Sequence, residues 1–102
     1  MQVRQGDLLI ESVDKKYLKR KLTPLKTKVV MEGEATGHKH LIKGNATLYD
    51  DLQQNKIIEV LDADTSIVHE EHNEIKLPKG VYKVTQQVEY DPYDRVSKYV
   101  ED

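Results

Sequence analysis

Four histidines are all that the 102-residue chain contains, and they fall in two pairs, "GHKH" at residues 37–40 and "HEEH" at residues 69–72. On a β-strand, side chains two apart share a face, so His38 and His40 would stand side by side with Lys39 turned away. Two imidazole nitrogens on one face form a chelate. His69 and His72 are three apart and would point to opposite faces of a plain strand. They can serve one site only if the chain turns near Glu70 and Glu71, and Asn73 suits such a turn. With that turn, His38, His40, His69 and His72 together with Glu70 form a nitrogen and oxygen donor set for zinc, iron, manganese or nickel. An open coordination position on that ion would let water or substrate bind and be activated.

The same residues support a metal-free chemistry. Histidine titrates near neutral pH, so one imidazole can act as general base and another as general acid, with Glu71 beside them, on a phosphate ester. Residues 15–28 hold seven of the sixteen Lys and Arg and no acid. Lys15, Lys16, Lys19, Arg20 and Lys21 are therefore the candidate phosphate ligands. A non-enzymatic reading uses the same lysines with the histidines to grip a nucleotide or nucleic acid. Only Tyr17 interrupts the basic run, so the aromatic interleaving of a base-stacking platform is thin. A structural assembly subunit is the third class, and the sequence does not decide whether any reaction occurs.

The elements that must carry these residues are short, closely spaced and bounded by turn residues, which predicts an all-β, mostly antiparallel domain, a small barrel or sandwich. Strands are expected at residues 7–13 and 27–32, with the basic segment between them and Pro24 ending any helix begun there. "KGNA" at 43–46 is expected to turn a hairpin from "HKHLI" into "TLY". Residues 56–61 and 66–69 are expected to pair around "DADT". After "LPKG" at 77–80, "VYKVTQQVEY" alternates so that Tyr82, Val84, Gln86, Val88 and Tyr90 share one face. Single helical turns near 14–22 and 93–100 are the only helical content expected.

At this length the chain makes one domain, with a core that needs no metal or disulfide to hold it. Cysteine is absent, which excludes disulfide scaffolds, thiolate zinc sites and cysteine nucleophiles, and suits a reducing compartment. No apolar run reaches signal-peptide or membrane-span length, so a cytoplasmic location without membrane contact is expected. The net charge of −2 conceals a basic segment at 15–28 and an acidic tail at 89–102. That complementarity, within one chain or between two, makes a homo-oligomer a natural expectation.

The motifs resemble a set of small uncharacterised bacterial and phage proteins in which "QGD" (Gln5, Gly6, Asp7), "EGEATGHKH", "HEEHN", "LPKGVYKV" and "VEYDP" recur in this order. The resemblance runs from Gln5 to about Pro92 and implies that the two histidine motifs and Tyr90 to Pro92, with Arg95, belong to one design. A glycine-bearing loop followed by "HxH" and a later histidine is also similar to cupins, small β-barrels that hold a divalent metal through histidines and a glutamate. This chain departs from cupins in lacking the glutamate after "HKH" and in bringing two late histidines.

Overall fold

The computed structural model describes residues 1–32, 39–51, 55–86, 88–91 and 96–99, the last two segments and Glu32 by their backbone alone. Among the described residues the chain is all-β apart from one 3₁₀ turn, with its strands in antiparallel sheets. A six-stranded sheet contains β1 (Gln2–Gln5), β2 (Leu8–Val13), β3 (Thr23–Leu25), β6 (Ala46–Asp50), β7 (Lys56–Val60) and β10 (Gly80–Gln86), in the order β1-β2-β10-β7-β6-β3. A four-stranded sheet orders β4 (Val29–Glu32), β5 (Lys39–Lys43), β8 (Thr65–Val68) and β9 (Ile75–Leu77) in sequence. β11 (Val88–Asp91) and β12 (Val96–Tyr99) pair only with each other.

The two main sheets are sandwich-like and do not close into a barrel, so of the expected architectures the sandwich is the one formed. Their inner faces supply one apolar core, with Leu8, Ile10, Leu48, Ile58, Val60, Tyr82 and Val84 from the larger sheet and Val30, Ile42, Ile67 and Leu77 from the smaller. The alternation of β5, with His40 and Ile42 buried between exposed Lys39, Leu41 and Lys43, shows how one strand feeds this core. His40 thus occupies a core-facing position.

Two expected hairpins are corners instead. β5 and β6 lie in different sheets, so Gly44 and Asn45 carry the chain across the sandwich, and β7 and β8 likewise belong to different sheets on either side of "LDAD". Local turn chemistry looks the same in both cases, because a tight turn and a sheet-switching corner need the same Gly, Asn and Asp residues. The two corners clasp each other. The Leu61 amide donates to the Asn45 carbonyl at 3.0 Å, and the Thr65 hydroxyl donates to the same oxygen at 3.3 Å.

Other expectations shift by smaller amounts. The long alternating strand stops at Gln86, and residues 88–91 join a separate ribbon. Tyr82 and Val84 face the core as the alternation predicts, but Val81 is buried as well. The expected helical turn at 93–100 is contradicted over Val96–Tyr99, which is β12. The turn expected near 14–22 is present as a 3₁₀ segment, Lys15–Lys19, capped by the Asp14 side chain accepting from the Lys16 amide at 2.8 Å. Pro24 sits in β3, an edge strand where its missing N–H costs no ladder bond.

Gly44 has φ +116, and a Cβ added there would lie 2.9 Å from the Thr65 Cα. Gly44→Ala is therefore expected to lower the unfolding free energy by about 2 kcal/mol or more, through left-handed strain and a clash with backbone that cannot move aside. Urea unfolding of the variant beside the wild type measures this.

Candidate functional site

The site is built at the end of the sandwich where the first turn of the large sheet meets the small one. Gly6 and Asp7 form a two-residue turn between β1 and β2, closed by the Gln5 and Leu8 pair. Gly6 adopts φ 58, a conformation that glycine takes without cost, and this tight turn sets Gln5 and Asp7 side by side. Both are buried, at 2% and 3% exposure, although residues of these types normally face water.

Gln5 resolves that conflict through three hydrogen bonds. Its Nε2 donates to the Ile67 carbonyl at 3.0 Å and to the Asn73 carbonyl at 2.8 Å, so its Oε1 is left as the acceptor facing His40 Nδ1 at 2.8 Å. An amide oxygen cannot donate. His40 Nδ1 must therefore carry a proton, which makes Nε2 the unprotonated nitrogen of the neutral ring. That Nε2 lies 3.4 Å from Asp7 Oδ1, while Asp7 Oδ2 accepts from Gln86 Nε2 at 2.6 Å. His40 is completely buried, and its orientation is set from both ends.

The late histidines arrive by the turn that their spacing requires. β8 ends at Val68 and the chain bends over residues 70–72, which folds His72 back beside His69. The His69 ring centroid is 4.3 Å from that of His40 and 4.6 Å from that of His72. His40 and His72 are 6.5 Å apart and nearly parallel. Three of the four histidines thus form one cluster, while His38 lies outside the described residues.

Their hydrogen bonding separates their roles. His69 Nδ1 accepts the Glu71 amide proton at 3.0 Å, so the neutral ring carries its proton on Nε2 and has no lone pair left for a metal. His72 Nε2 is buried with no hydrogen-bond partner among the described residues. Glu70 and Glu71 have exposed side chains, and the buried carboxylate in contact with His40 belongs to Asp7. Among the described residues no group of three or more His, Asp or Glu has its donors already placed to hold an ion.

The basic residues are elsewhere. β2 runs from Asp7 at one end to Asp14 at the other, a span of roughly 20 Å at the usual rise per residue, and the 3₁₀ segment begins there. Lys15, Lys16, Lys19, Arg20 and Lys21 are exposed at that far pole, with Arg20 stacked 4.3 Å above the Tyr17 ring. The two groups are thus too far apart for one phosphate to touch both.

The sequence from residue 4 to residue 87 matches one family model. The chain belongs to the family described as Domain of unknown function (DUF8820). In this DUF8820 domain the matched span takes in Gln5, Asp7, His40, His69 and His72 and ends before the acidic tail. No curated protein and no solved structure matches the chain. Among the described residues no helix is long and apolar enough to cross a membrane.

Sequence reasoning named the histidines but passed over Gln5 and Asp7 as site residues. The only signal was the polar pair around Gly6 in an otherwise apolar stretch, and a turn explains that equally well. Gln5→Met is expected to remove the group that fixes the His40 tautomer and to leave the Ile67 and Asn73 carbonyls without their donor, lowering stability by about 1–3 kcal/mol. Nitrogen-detected NMR of the imidazoles should show His40 protonated on Nδ1 in the wild type and redistributed between its two nitrogens in the variant.

Proposed function

We propose that this end of the DUF8820 domain is a divalent-metal site, with His40 Nε2 and the Asp7 carboxylate as a preset pair of donors and His72 Nε2 as the third. The approach of His40 Nε2 to Asp7 Oδ1, at 3.4 Å with the other ring nitrogen committed to Gln5, is the observation that carries this reading. The contact itself is attractive only when a proton or a metal cation is shared between nitrogen and carboxylate. Donors bound to one ion through bonds of about 2.1 Å lie about 3.0–3.4 Å apart, and 3.4 Å falls within that interval. A histidine whose far nitrogen donates to an oxygen is also the usual partner arrangement behind a metal ligand.

A nitrogen and oxygen set without thiolate suits zinc, iron, manganese or nickel. Such an ion would supply Lewis acidity and an activated water, which makes metal-dependent hydrolysis the reaction class that fits. The chain's own residues do the rest. Gln5 orients His40, and His69 stands beside the pair with its proton on Nε2, a neighbour that can donate a hydrogen bond but not ligate. The bend over residues 70–72 brings the His72 ring to 6.5 Å from that of His40, centroid to centroid, with its Nε2 buried. A chain without cysteine is suited to doing this in the reducing cytoplasm.

Elemental analysis of protein purified without an affinity tag tests the reading. Wild type should carry about one ion per chain, falling by roughly tenfold or more in His40→Ala and in Asp7→Asn, whereas His69→Gln should retain most of it. His38→Ala tests the sequence-based expectation for that residue. A wild type that stays metal-free after incubation with zinc, iron, manganese and nickel salts would rule out the metal and leave His40 and Asp7 as an acid and base pair.

A further inference from the structure

The pole opposite the histidines has its own surface. The 3₁₀ segment packs against β10 there, and Lys15 and Leu18 join Glu59, Val60, Leu61, Lys79 and Val81 around a shallow pocket. Its rim is mainly cationic, and the Glu59 carboxylate accepts a hydrogen bond from the Tyr49 hydroxyl at 3.2 Å. Lys16, Lys19, Arg20 and Lys21 are exposed beside it, and Asp14 is occupied in capping the turn. Its floor is apolar, and Leu61, at 43% exposure, is among the large hydrophobic residues most open to solvent in the described part of the chain. A basic rim around an apolar floor fits an acidic segment that carries apolar or aromatic anchors.

One face of the Tyr17 ring is already covered by Arg20, and no second aromatic residue lies in the basic run to extend a base-stacking platform. The apolar floor likewise has no counterpart in a phosphate backbone. The chain does contain a segment of the required kind. From residue 88 onward the sequence is "VEYDPYDRVSKYVED", with five acids against two bases and with Tyr90, Tyr93 and Tyr99 interleaved. It lies beyond the family match, as an appendage to the domain.

In its own chain this tail starts at the wrong pole. β10 carries the backbone from Gly80, at the pocket, to Gln86, whose side chain reaches Asp7, about 20 Å away at the strand rise. β11 and β12 then fold the tail into a ribbon in which Val88 pairs with Tyr99. The four residues of β11 extend about 13 Å, less than the span back to the pocket, and β12 returns Tyr99 to the side of Val88.

We infer that the basic, apolar-floored pocket at the 3₁₀ pole docks the acidic C-terminal ribbon of a second copy of this chain. The contact joins unlike surfaces, so it is head-to-tail, and its rotation decides between a closed ring and an open chain. It does not depend on the metal site at the other end.

Sedimentation velocity on the full chain at low and high salt tests the inference, with two variants of exposed or tail charges. One is Lys15→Glu/Lys16→Glu/Lys19→Glu, and the other is Glu89→Lys/Asp91→Lys/Glu101→Lys. Wild type should self-associate near 20 mM salt and dissociate near 500 mM, and each variant alone should associate about tenfold more weakly or not at all. Mixing the two variants should restore association, because each then meets an opposite charge. Glutamine in place of the three lysines provides the same comparison, at reduced contrast, if the reversal variant fails to fold. A wild type that is monomeric near 20 mM salt overturns the inference, as does association that survives both reversals or fails to return on mixing. A monomer whose basic pole binds nucleic acid in a salt-dependent way assigns that pole to a different partner and equally overturns it.

Discussion

The side chain of Gln5 is the interaction on which the histidine end of the molecule depends. It is buried where an amide is costly, and it is satisfied by one carbonyl of β8, one of the connection after it and the His40 ring. One residue therefore joins the first turn of the large sheet to the end of β8 and to the bend that follows "HEEH". Because its amide protons are taken by carbonyls, its oxygen dictates which His40 nitrogen is protonated. Structure and chemistry are fixed by the same three hydrogen bonds.

The sandwich makes such a site affordable. Its apolar core, closed by Leu8, Ile10, Ile58, Ile67, Leu77 and their neighbours, packs the two sheets face to face. The polar cluster of Gln5, Asp7 and His40 can then sit at one end of the interior and be positioned by strands that are already rigid. The chain's repeated passage between sheets makes this possible. Each corner moves a short strand across the core, so residues far apart in sequence, such as Asp7 and Gln86, meet at one end.

β2 and β10 act as spacers in the opposite sense. They run side by side along the domain, with Asp7 and Gln86 at one end and the basic 3₁₀ segment and Gly80 at the other. Two kinds of chemistry that look adjacent in sequence terms, imidazoles and lysines, are held at opposite poles by the length of two strands. Each pole must therefore be understood from its own neighbours.

The sequence by itself determined the all-β class, the opposite facing of Lys39 and His40 and the need for a turn at Glu70 and Glu71 if His69 and His72 were to meet. These follow from periodicity and spacing, which are local. It also identified three of the residues that cluster, because four histidines in two tight pairs stand out in any chain. The tertiary structure decided the remainder. Gly44 and Asn45, and the "LDAD" stretch, have the residues of hairpin turns, and only the partner strands show that they are corners between sheets. Residues 88–91 continue the alternation of β10 but leave its sheet. Gln5 and Asp7 read as ordinary turn residues, since the partners that give them meaning lie 33 to 79 positions away. Hydrogen-bond direction, which puts the His40 proton on Nδ1, exists only once those distant groups are in place.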